Sequence, residues 1–245
     1  MAERVATGIS GLDKMLYGGI PAESQVLLTG GPGAGKSLLS FEYLYRNAKA
    51  GNTSIFFAFE EDPEEIIENA KAAFPELADI DDMIGSGKLI IDREAPTGEL
   101  ISATNKDEDL FQFGSIMTKI ENRINETKAT RVVIDSISIL GIMIKDVGTY
   151  RKYMLALITN LKRLGVTSIM TMEMENPDRS KLAFKPEHFI FDGIVALYQS
   201  GESTKRMLTA EILKIRGTRH SFTTAPYDIT PKGFRIFAAE DIAPD

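Results

Sequence analysis

The sequence predicts an α/β fold with a mostly parallel central sheet, helices on both faces and antiparallel strands at the C-terminal end. Three observations predict it. Residues 25–29, 53–59 and Arg131–Asp135 are short runs dominated by apolar side chains, as strands covered on both faces require. Stretches of helical periodicity separate them, and a glycine-rich turn joins the first run to the first helical stretch. Residues 206–215, 223–229 and 233–237 read as successive strands with tight turns, which suggests hairpins added to the edge of the parallel sheet. At 245 residues and 43% hydrophobic, the chain is expected to form one domain spanning 1–245.

Composition narrows the chemistry. There is no cysteine, which excludes disulfides and thiolate metal sites, and the two histidines, His188 and His220, are too few for a histidine cluster. No run approaches the ~18–20 apolar residues of a membrane span. The start, Met1-Ala2-Glu3-Arg4, shows no apolar secretory region. A soluble cytoplasmic protein is the expectation. The formal charge of −7 argues against a broad nucleic-acid surface and leaves a local one open.

The elements follow in order. Residues 7–16 suggest a short helix after a glycine turn, and residues 17–21 turn the chain into the first core strand. After that strand come Gly30, Gly31, Pro32, Gly33, Ala34, Gly35, Lys36 and Ser37, which fit the P-loop pattern G-x-x-x-x-G-K-[ST]. Glycines let the backbone N–H groups turn inward toward phosphate oxygens. Lys36 would supply positive charge to the β- and γ-phosphates, and the Ser37 hydroxyl would be a ligand for Mg²⁺. Leu38, Phe41, Tyr45 and Ala48 mark the following helix, and Gly51 sits at its end. Gly31 through Ser37, together with Leu38, are thus the nucleotide-binding candidates on this segment.

The strand at 53–59 ends in Glu60, Glu61, Asp62 and Pro63, and a helix at 64–74 follows. Carboxylates at the end of a buried strand sit where parallel sheets place their ligands. Glu60 and Glu61 are candidates for a general base or for orienting an attacking water, while Asp62, Glu64 and Glu65 suit a helix start. Residues 89–92 read as a strand, 94–109 as a mobile loop, and a helix follows from Phe113 with Met117, Ile120 and Ile124 on its core face. Arg131–Asp135 has the form of a Walker B strand, whose Asp135 would support Mg²⁺ together with Ser37; Ser136 is a hydrogen-bonding neighbour. Tyr150, Met154, Leu157, Leu161 and Leu164 mark the next helix, which ends at Gly165. Thr167–Glu173 and residues 191–198 read as strands, and 176–186 as a polar, flexible connection.

Several stretches together resemble the KaiC-like branch of the RecA superfamily. They are Thr7-Gly8-Ile9-Ser10-Gly11-Leu12-Asp13 with Gly18-Gly19-Ile20-Pro21, the P-loop, Phe59-Glu60-Glu61, and Val132-Val133-Ile134-Asp135-Ser136. To these add Lys214-Ile215-Arg216-Gly217-Thr218-Arg219-His220 and Ile229-Thr230-Pro231-Lys232-Gly233. The resemblance implies a RecA-like P-loop fold and a homo-oligomeric ring, usually a hexamer, with ATP–Mg²⁺ bound between subunits. It implies that Glu60 and Glu61 are the paired catalytic glutamates, working with Lys36. It also implies that Lys214 and Arg216 reach the phosphates of the neighbour's nucleotide, with His220 and the turn at 229–232 approaching its sugar or base. The clock protein of that family has two such domains and autophosphorylates an adjacent Ser-Thr pair. One domain is seen here, and Asp146-Val147-Gly148-Thr149 shows no such pair, so clock function does not follow.

The expected function is therefore a slow, Mg²⁺-dependent ATPase with a regulatory or signalling use. One alternative is a nucleotide-gated assembly scaffold with little turnover, similar to the archaellum accessory ATPases. Another is a RecA-type DNA-dependent ATPase, for which residues 140–149 and 176–186, with Lys145, Arg179, Lys181 and Lys185, would be the DNA loops.

Overall fold

The computed structural model describes residues 3–94, 106–144, 146–176, 178–181, 183–200 and 207–238, with the backbone alone for 106–112. Strands β1 (Arg4–Val5) and β2 (Ile20–Pro21) pair antiparallel on either side of the short helix α1 (Leu12–Met15). Then come β3 (Gln25–Gly30), α2 (Lys36–Lys49), β4 (Ser54–Ala58), α3 (Pro63–Ala73), α4 (Ile80–Gly85) and β5 (Leu89–Arg93). They are followed by α5 (Lys106–Thr127), β6 (Arg131–Asp135), α6 (Ser138–Met143), α7 (Val147–Arg163) and β7 (Thr167–Glu173). Two 3-10 turns, Arg179–Lys181 and Pro186–Phe189, lead to β8 (Gly193–Ser200), β9 (Met207–Ile215), β10 (Ala225–Thr230) and β11 (Gly233–Ile236).

One nine-stranded sheet has the order β11-β10-β9-β8-β3-β7-β6-β4-β5. From β8 to β5 all neighbours are parallel; β9, β10 and β11 add antiparallel at the other end. This is the RecA-like arrangement. The alternation of side chains along each strand explains why the core strands are apolar on both faces. Val26 and Leu28, Phe56 and Ala58, and Val133 point into the cluster that holds α1 to α4. Leu27, Ile55, Phe57, Val132 and Ile134 point into the cluster under α5, α6 and α7. Among the described residues no helix is long and apolar enough to cross a membrane.

The lead-in segment is a clasp. The Asp13 carboxylate accepts from Thr7 N and Thr7 Oγ1, both at 2.7 Å, and from Gly8 N at 3.0 Å. Gly11 has φ +83°, and a Cβ there would lie 1.8 Å from the Ile236 carbonyl oxygen. Only glycine lets this segment lie against β11, where Ile236 N donates to Ser10 O at 2.9 Å. The clasp thereby fixes the β10–β11 hairpin beside α2.

Three differences from the sequence-based reading have local causes. The short pair β1–β2 and the one- to two-turn helices α4 and α6 offer too few residues for a periodic pattern. Helix α5 begins at Lys106 rather than Phe113, because its first turn, residues 106–109, is wholly polar; residues 95–105 of the expected mobile loop lie outside the described residues. Strand β8 begins at Gly193, after Asp192, whose carboxylate accepts from Gln25 N at 3.0 Å and is occupied outside the ladder.

Candidate active site

The glycine loop leaves the carboxyl end of β3, a strand buried along its whole length between β7 and β8. Gly33 and Gly35 have φ of +73° and +85°, the left-handed region that favours glycine. A Cβ on Gly35 would also lie 2.8 Å from the Phe234 ring and 2.9 Å from Ile229 Cδ1. The loop is anchored from several strands. Met174 N donates to Gly30 O at 3.0 Å, Gln199 Nε2 to Pro32 O at 2.9 Å, and the Tyr227 hydroxyl to Ala34 O at 2.7 Å. Gly31 and Ala34 are buried, and Pro32 is exposed. Ser37 and Leu38 occupy the first turn of α2, half-buried.

Lys36 lies inside the loop and donates to Gly30 O at 3.0 Å and Gly31 O at 3.2 Å. Burial holds its ammonium below the usual lysine range, against the opposing pull of Glu173, Asp135 and Glu60. Those three carboxylates therefore share one electrostatic neighbourhood with Lys36.

The strand registers explain the gathering. Asp135 ends β6 opposite Ala58 of β4, and Phe59 N donates to Asp135 O at 2.7 Å. The buried Asp135 carboxylate accepts from the Thr171 hydroxyl on β7. Glu60 lies just past the end of β4 and hydrogen-bonds the Ser136 hydroxyl. Burial raises its pKa above the ordinary carboxylate range, opposed by the Ser136 bond and reinforced by Asp135, Glu173 and Glu61. Glu61 is raised by burial, then by Asp135 and Glu65, while a bond to Asn69 of α3 opposes. Among the described residues no group of three or more acidic or histidine side chains could hold a metal by itself. Ser37 and Asp135 are the side-chain oxygens that could hold a cation beside bound phosphates.

Glu173 is absent from the sequence-based set. It ends β7 in register with Gly30. The sequence shows it closing a strand, but only the strand order places that strand next to β3. Glu61, Ile66, Asn69 and Ala72 face Leu38 and Phe41 across a cleft of about 550 Å³ that opens on Gly33 to Ser37.

Lys214, Arg216 and His220 lie elsewhere in the chain. Strand β9 runs antiparallel to β8, so Ala210 pairs with Leu197 at the level of Gly30, while Lys214 pairs with Ile194 near the opposite edge. Three residues of β8 separate the levels, roughly 10 Å, because β9 bulges by one residue between them. Lys214 Nζ donates to Phe191 O at 2.6 Å and to Phe189 O at 3.2 Å. Burial lowers its pKa, and Arg216 adds to the effect. Arg216 Nη2 donates to Phe189 O at 2.7 Å, and Nη1 stands 3.8 Å from Asp192. His220 is buried, with Nδ1 2.8 Å from Ser221 O. The turn at 229–232 borders its own chain's loop, since Ile229 meets Gly35.

Two of the basic side chains considered for DNA are paired internally. Arg179 donates to both carboxylate oxygens of the buried Glu211 at 2.7 Å, and Lys185 pairs with Glu175 at 2.8 Å. Lys145 lies outside the described residues.

Comparison with known proteins adds a family. Residues 5–241 match the family described as the KaiC ATPase. The chain is 34% identical over 235 residues to the circadian clock oscillator protein KaiC of Rippkaea orientalis, covering 96% of this chain and 44% of that protein. It is 33% identical over 238 residues to KaiC 1 of Synechocystis, again covering 96% and 44%. The chain thus spans less than half the length of these relatives.

Proposed function

The chain belongs to the KaiC family of ATPases, and from that premise we propose that it is a Mg²⁺-dependent ATP hydrolase working as a homo-oligomer, with nucleotide bound between subunits. The observation that carries this reading is the separation of two groups of charged side chains. Lys36, Glu60, Asp135 and Glu173 converge at the carboxyl edge of the parallel strands, while Lys214 and Arg216 lie toward the opposite edge. A head-to-tail contact between copies would bring the two edges together.

In this reading the backbone of residues 31–37 and the Lys36 ammonium hold the phosphates, and the cleft beside Leu38, Ile66 and Ala72 takes the base. Ser37 and Asp135 would hold the Mg²⁺, which spreads charge from the phosphate oxygens when bound. Asp135 is oriented for this by Thr171. Of the two glutamates only Glu60 acts on the Lys36 ammonium, so it is assigned to accept a proton from, or orient, the attacking water. Glu61, tied to α3 through Asn69, supports the cleft wall. Lys214 and Arg216 of a neighbour would neutralise charge that develops on the transferred phosphoryl group. The energy of hydrolysis would serve a regulatory change of assembly.

The internal pairing of Arg179 and Lys185 supports this reading over DNA-dependent turnover, because those cations are already neutralised. Size measurement with and without ATP–Mg²⁺, with phosphate release followed in the same samples, tests the proposal. Assembly with release is expected. Assembly without release would favour a nucleotide-gated scaffold, and neither would overturn the proposal.

A further inference from the structure

A second cavity, of about 540 Å³, lies between α6, the start of α7 and the segment after β7. Its size is that of a small-molecule pocket. Its walls are mainly apolar, from Ile142, Ile144, Val147 and Met172, with Tyr150 at the back.

Glu187 is the unusual member. It is only 6% exposed and lines the cavity. Among the described residues its carboxylate receives no hydrogen bond and forms no ion pair, and a buried charge without a partner is costly. The basic side chains described beside it are engaged elsewhere or neutral. Lys185 Nζ pairs with Glu175 at 2.8 Å. His188 Nδ1 accepts from Lys185 N at 3.1 Å, and burial lowers the imidazole pKa, so the ring favours its neutral form. Burial pushes the Tyr150 hydroxyl well above its usual range, and the negative charge of Glu187 adds to this. Glu173 adds a second carboxylate at the mouth. The cavity thus combines aliphatic walls, an excess of carboxylates over cations in its described lining, and one largely buried acceptor that has no partner among the described residues.

We propose that this cavity is a binding site for an organic cation, an ammonium group on an aliphatic stem, with Glu187 as the counter-charge and Ile142, Ile144 and Val147 around the stem. The ammonium could be carried by a free amine or by a lysine side chain; both present the same chemistry. The proposal stands apart from the ATPase reading, because it is tested without nucleotide.

The test is calorimetric titration of the full chain with n-butylammonium, with n-butanol and butyrate as neutral and anionic probes. Saturable binding of the ammonium at one site per chain is expected, with neither control matching it. Glu187→Gln should weaken binding at least ~10-fold, about 1.4 kcal/mol, while Glu187→Asp should keep the preference for the cation. Because the charge has no partner to lose among the described residues, Glu187→Gln should leave the melting temperature unchanged or raise it. Tighter binding of an N-acetyl-lysine amide than of butylammonium would identify a polypeptide lysine as the source; equal or weaker binding would identify a free amine. No saturable binding by either ammonium, equal binding by the Glu187→Gln variant, or a lowered melting temperature in that variant would overturn the proposal.

Discussion

At the scale of single residues, the site sets up an unequal pair. Both glutamates lie in the field of Asp135, but only Glu60 acts on Lys36, whereas Glu61 bonds to Asn69 of α3. Replacing Glu60 with Gln should therefore lower turnover by roughly 10²–10⁴-fold with nucleotide binding retained, and Glu61→Gln should cost less. Steady-state phosphate release and nucleotide titration check both. The raised pKa of Glu60 fixes the sign of the pH dependence. A base must be ionised to accept a proton, so activity should fall with acidification at a pH above the ordinary carboxylate range. That acid limb should flatten in the Glu60→Gln variant, leaving its residual rate insensitive to pH there. Unchanged turnover in Lys36→Ala as well as in the Glu60 and Glu61 variants would remove the basis for the assignment.

At the scale of elements, the phosphate loop depends on parts distant in sequence. Glu42 of α2 is 1% exposed and accepts from Phe234 N at 2.6 Å. Gly233 has φ +117°, and a Cβ there would lie 2.1 Å from Glu42 Oε1. Gly233→Ala should therefore lose about 1–3 kcal/mol, read as a lower urea midpoint at unchanged m-value. It should also loosen nucleotide binding, because Phe234 and Ile229 pack on Gly35. Elements of this kind mark the limit of what sequence shows. The buried strands were legible because both of their faces are apolar, and the sequence-read bounds of Arg131–Asp135 and Thr167–Glu173 match the structure. Lys36, Glu60 and Asp135 could be singled out as candidates because each ends or follows a recognisable strand. Glu173 and Gln199 could not, since their place beside the loop comes from strand order, which no local pattern encodes. The role of Asp13 in clasping the lead-in segment was hidden for the same reason, although its motif stood out.

At the scale of the whole molecule, the central claim is that one chain holds half a site. The strand order keeps Lys214 and Arg216 away from their own loop and ties them to the carbonyls of Phe189 and Phe191. Arg216→Ala should therefore leave nucleotide binding largely intact and depress turnover through the neighbour. The most direct test mixes two slow variants, Glu60→Gln and Arg216→Ala, in the presence of ATP–Mg²⁺ and follows phosphate release. In a head-to-tail assembly formed at random, about one interface in four pairs an intact loop site with an intact Arg216. The account predicts that the mixture exceeds both parents and approaches that fraction of the wild-type rate. A mixture that gives only the average of its two parents, at every ratio and concentration, would contradict it.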